Sequence, residues 1–141
     1  MCCERHLSIY TYEFDVLFAA VEALPNATKH ALIERLKTAH SRKRCPLLSD
    51  KGLCEVYDER PIICRSHGLP LSVEGGRDVC PKNFQEGPTL ESLEQTDLLD
   101  LEHLNQIMAL LDHVEGDGTG MRIDLIEGLS SRLLQPDSKV T

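Results

Sequence analysis

The sequence predicts a mainly α protein, with about four helices around an irregular, cysteine-rich loop region. Three observations carry that prediction. Apolar residues recur at three/four spacing in four stretches, two early in the chain and two late. Residues 45–88 between them hold five of the seven prolines, five of the nine glycines and four of the six cysteines. Aromatics make up only 4% and Trp is absent, so Leu, Ile, Val and Ala must build the core.

Cys2-Cys3-Glu4-Arg5-His6 opens the chain, and Ser8 to Thr11 favours a short extended stretch. Thr11 or Tyr12 then begins a helix. Thr11 can cap it, Glu13 and Asp15 suit its positive end, and Phe14, Leu17, Phe18, Val21 and Leu24 form its apolar stripe. Pro25-Asn26 ends it. A second helix is expected over Thr28 to Arg42, with Ala31, Leu32, Ile33, Leu36 and Ala39 inward and Arg42-Lys43-Arg44 at its negative end. Within residues 45–88 only Cys54-Glu55-Val56-Tyr57 reads as a strand.

Thr89 is expected to open the third helix, with Leu90, Leu93, Leu101, Leu104, Met108 and Leu111 on its stripe. Gly116-Asp117-Gly118-Thr119-Gly120 stops it. The last helix is expected over Arg122 to Leu134, with Ile123, Ile126, Leu129 and Leu133 on one face. The chain reads as one metal-binding domain over residues 1–135, with a disordered tail at 136–141.

The totals exclude several classes. The longest apolar run, Val16 to Val21, is far short of the ~20 residues that span a bilayer. No secretory signal is visible, which points to a soluble, cytoplasmic protein. Residues 1–85 hold 12 Lys/Arg and 11 Asp/Glu, whereas residues 86–141 hold 3 and 12. Neither part offers the basic face that nucleic acid requires, so no nucleic-acid or membrane partner is expected. Asp112, Glu115 and Asp117 do not have the spacing of a calcium loop.

Six cysteines without an export signal point to metal or redox chemistry before disulfides. A structureless run as long as 45–88 needs a substitute for a core, and metal–thiolate bonds supply one. The candidate ligands are Cys2, Cys3, Cys45, Cys54, Cys64 and Cys80. Thiolates suit zinc, iron and iron–sulfur clusters alike. The gaps between successive cysteines are 0, 41, 8, 9 and 15 residues, so no C-x2-C chelate of the zinc-finger or thioredoxin kind exists. Neighbouring Cys2 and Cys3 point to opposite sides of an extended chain and do not easily reach one ion. Arg60 and Arg65 flank Cys64 and could offset the thiolates' negative charge; the bland alternative pairs them with Asp58 or Glu59 on the surface. His6 and His67 lie near cysteines, and surface or supporting roles suit them better than ligation. No residue stands out as catalytic.

Cys2-Cys3, then Cys45-Pro46-Leu47-Leu48, the string GLCEVYDERPIICR at Gly52 to Arg65, and Cys80 resemble the CxxCxxCC (YkgJ-like) family. The resemblance implies a zinc- or iron-chelating domain. That family's pattern has eight cysteines: Cys2 and Cys3 match the last two of its opening motif, and Cys45, Cys54, Cys64 and Cys80 match the later four. The two upstream cysteines are absent, through a chain that begins late or a member with two fewer ligands. Eight sulfurs fill two sites of four; six fill one.

The leading expectation is therefore a small cytoplasmic metal-binding protein holding zinc or an iron–sulfur centre. One alternative is an iron–sulfur-dependent oxidoreductase or protein-modifying enzyme. Another is a zinc-stapled interaction module whose acidic helical half meets a protein partner, itself not identified by the sequence.

Overall fold

The computed structural model of this chain describes residues 6–87 and 89–135. The expected tail at 136–141 lies outside the described residues. Helix, short 3-10 turns included, accounts for 50% of the described residues and strand for 12%, in keeping with the mainly α expectation. Six α-helices are found among the described residues rather than about four, together with two small sheets.

The chain enters as β1 (Ser8–Tyr10) and turns at once into α1 (Thr11–Glu22). The cap is Tyr10 rather than Thr11, and the Glu13 carboxylate accepts the Tyr10 N–H at 3.3 Å. Phe14, Leu17, Phe18 and Val21 are buried, as the stripe predicts. The second expected helix is broken into α2 (Asn26–Leu36) and α3 (Ala39–Arg42). Thr38 interrupts it: its hydroxyl donates back to the Arg35 carbonyl and its backbone leaves the helical region. The break lets Leu36 and Ala39 both reach the core, while Ala31 stays exposed.

Residues 45–88 are less irregular than expected. Leu48 and Cys54 form one antiparallel bridge, and Tyr57 already belongs to a 3-10 turn, so Cys54–Tyr57 is not a strand. A short α4 (Ile62–Ser66) follows, then a hairpin of β2 (Leu71–Val73) and β3 (Gly76–Asp78).

The expected helix from Thr89 does not form until Leu101. Arg77 explains this, because its guanidinium donates to the carbonyls of Leu90, Glu91 and Leu93 that a helix would have used. Asp97 closes a separate turn by accepting from Glu94 N–H, and Leu99 N–H donates to Pro70 O. That last bond begins β4 (Leu99–Asp100), which lies parallel to β2. Asp100 is the true cap of α5 (Leu101–Glu115), accepting from His103 N–H at 2.9 Å.

Arg122–Asp124 is a strand, β5, where a helix was expected. It pairs antiparallel with β1, Ile9 opposite Ile123. Asp124 then caps α6 (Leu125–Leu133) by accepting from Ile126 and Glu127 N–H. Leu125, Ile126 and Leu129 complete one core with the α1 stripe, Leu32, Leu36, Leu47 and Val56. Gly128 lies flat against Phe14, where a Cβ would come within 2.7 Å of the ring. No helix among the described residues is long and apolar enough to cross a membrane.

The end of α5 is held from inside. Asp112 is 2% exposed; its carboxylate accepts Gly120 N–H and its carbonyl accepts Gly116 and Gly118 N–H. Tyr12 reaches over from α1, its hydroxyl donating to Met108 O at 3.4 Å. Burial, then the charges of Glu13, Tyr10 and Asp112, push the Tyr12 phenol from 10.0 up to about 12. The fold therefore favours the neutral phenol. Its contribution is complete below pH 10 and is lost as pH rises through about 12, because the unfolded chain ionises first. In an alkaline titration followed by phenolate absorbance, Tyr12 is expected to titrate late, and denaturant midpoints should fall above pH 10. A Tyr12→Phe variant that kept the late phase would show that another tyrosine carries it.

Candidate metal centre

Three of the six candidate ligands share one cavity wall. Cys45, Cys54 and Cys64 line a single cavity of about 190 Å³, with Leu7, Leu125 and Arg60 also in its wall. All three cysteines are half-buried, and Cys45 and Cys54 pack against the core.

Local chemistry explains how each arrives. Lys43 adopts a left-handed conformation, φ 48°, which turns the chain sharply out of α3 just before Cys45. A tight turn over residues 49–53 folds the chain back: Ser49 N–H donates to Leu53 O and Gly52, at φ +78°, closes the corner. Glu55 N–H then donates to Leu47 O, which sets Cys54 opposite Leu48. Arg35 of α2 fastens both arms, donating to Pro46 O at 2.7 Å and to the Glu55 carboxylate at 3.2 Å. This partly buried pair with a fixed fork is stronger than a surface ion pair.

Cys64 sits in the first turn of α4, behind Pro61. Pro61 lacks an N–H and its φ suits a helix start, so the turn begins where the sequence places it. Ile62 N–H donates to Glu13 Oε1 at 2.9 Å, so one α1 carboxylate holds the start of the helix that carries Cys64. The two arginines separate. Arg60 lines the cavity with its guanidinium 3.6 Å from the centre of the Tyr57 ring. Arg65 turns back on its own chain and donates to the carbonyls of Arg60 and Asp58. Neither arginine pairs with the carboxylate of Asp58 or Glu59 among the described salt bridges.

Cys80 is elsewhere. Its carbonyl accepts Asn83 N–H, Asn83 donates to Gly68 O, and it is not in the cavity wall. His6 lies 3.9 Å from Asp124 and stacks on His40, while His67 is exposed at the end of α4. Cys2 and Cys3 lie outside the described residues. Among the described residues no group of three or more His, Cys, Asp or Glu could hold a metal ion. The donor set at the cavity nevertheless has the right chemistry for a soft metal: three sulfurs, apolar walls and one cation.

Residues 1–86 match the model of a family named CxxCxxCC, described as "Putative zinc- or iron-chelating domain". The chain belongs to the CxxCxxCC family. All six cysteines of this CxxCxxCC chain fall in the matched part, whereas α5, β5 and α6 lie beyond it. No curated protein and no solved structure matches the chain.

Sequence reasoning missed Glu13, Arg35 and Leu125. Arg35 gave a faint signal, as a charge next to the buried Leu36 and one helical turn from the buried Leu32. Glu13 gave none, since a carboxylate in a first turn is ordinary. Leu125 reaches the cavity only through the pairing of β5 with β1.

Proposed function

We propose that this protein chelates one zinc or iron centre through Cys45, Cys54 and Cys64, with a fourth sulfur from Cys2 or Cys3. The observation that supports this reading is the shared cavity, because Leu7, a few residues after Cys3, lines the same wall. Cys80, outside that wall, takes no part in this centre. A soft metal bound there would supply a covalent staple or, as an iron–sulfur cluster, one-electron transfer. The chain's own residues do the rest. Arg35 and Glu13 orient the two cysteine-bearing arms, and Arg60 offsets the negative charge of the thiolates, about −2 for zinc with four. The cavity wall is mainly apolar, with Leu7, Leu17, Leu47, Leu48 and Leu125 in it. Thiols of this kind stay reduced in the cytoplasm, where we place the protein.

Metal and acid-labile sulfide should be measured after anaerobic purification. One metal per chain is expected. A visible absorption that bleaches on reduction would assign an iron–sulfur cluster, and a colourless chain with one zinc would assign the staple. A folded chain carrying neither metal nor sulfide would sink the reading.

A further inference from the structure

The helix beyond the family match carries a second apolar face. α5 turns Met108 and Asp112 inward. Outward, Ile107, Leu110, Leu111 and Val114 are 40%, 65%, 39% and 75% exposed. They recur at i, i+3, i+4 and i+7, which makes one strip along the helix. Single exposed leucines are ordinary, but a contiguous strip of four large aliphatics marks an interaction surface.

Charge indicates which partner. From Asn83 to Met121 the chain has no Lys or Arg and nine Asp/Glu. Asp97, Asp100 and Glu102 lie at one end of the strip, and Glu115 and Asp117 at the other. A second copy of this −8 chain, laid parallel or antiparallel, would set acidic ends against acidic ends. A strip flanked by Lys or Arg meets opposite charge at both ends. We propose that the outer face of α5 is a docking surface for an amphipathic helix of a partner protein, whose apolar stripe is flanked by basic residues.

The test uses the full metal-loaded chain and two labelled helical peptides with the same leucine stripe, one flanked by lysines and one by glutamates. Fluorescence anisotropy reads binding at low and high salt. The lysine peptide is expected to bind, more weakly as salt rises, and the glutamate peptide not to. The double variant Leu110→Ser/Val114→Ser, whose far-ultraviolet circular dichroism should match the parent, is expected to lose at least about tenfold in affinity. No binding of the lysine peptide, equal binding of both peptides, or equal binding by the double variant would each overturn the proposal. A dimer in light scattering that the double variant abolishes would also overturn it, by giving the face to a second copy.

Discussion

Cys64→Ser is expected to cost more than about a hundredfold in metal affinity and to loosen the whole segment from Cys45 to Ser66. That segment contributes few large side chains to the core, chiefly Leu47 and Val56. The rest of its order comes from backbone bonds, from Arg35 and, on the proposed reading, from the metal. Structural zinc contributes on the order of 10 kcal/mol to small thiolate sites, so losing one ligand of four removes much of what replaces a core. Metal content per chain and hydrogen exchange of the amides in residues 45–66 report the two effects together. Cys80→Ser supplies the contrast, because Cys80 stands apart from the cavity. It is expected to keep full metal content. A fully loaded Cys64→Ser chain, or an empty Cys80→Ser chain, would refute the assigned ligand set.

Glu13→Ala is expected to destabilise the protein by about 2 kcal/mol, because it strips a charged acceptor from the part-buried N–H of Ile62 and from that of Tyr10. Its second effect is on the metal. With Ile62 released, α4 is free to tilt and Cys64 moves with it, which should weaken metal binding by about tenfold or more. Urea unfolding and competition with a chelator separate the two. Glu13→Gln keeps an acceptor at Oε1, so it should recover most of the affinity and part of the stability. If Glu13→Ala lowered stability but left chelator competition unchanged, Glu13 would be a fold residue only.

The parts of this architecture that depend on side-chain type and short spacing were legible in the sequence. Phe14, Leu17, Phe18 and Val21 announced α1, and the string from Gly52 to Arg65 announced the cysteine arms. What remained hidden depends on distant partners. Nothing near Leu90 or Leu93 reveals that Arg77 will occupy their carbonyls and prevent a helix. The break in apolar spacing at Glu94–Asp97 was the one local warning. Likewise Arg122-Ile123-Asp124 fits a helix until Ser8–Tyr10 is available to pair with it. At the candidate site the three clustered cysteines share a wall because Arg35 and Glu13, on two other helices, hold the arms that carry them.

The pairing of β1 with β5 has a consequence for the order of synthesis. It joins Ser8 to Asp124, residues far apart along the chain. Until β5 is made, β1 has no strand to join, and Leu7 lacks the Leu125 N–H that its carbonyl accepts. Contacts this remote in sequence form late because closing so long a loop is entropically slow. Leu7 and Leu125 therefore complete the wall around Cys45, Cys54 and Cys64 only at that late step, and the incomplete wall is the form that chaperones and proteases meet first.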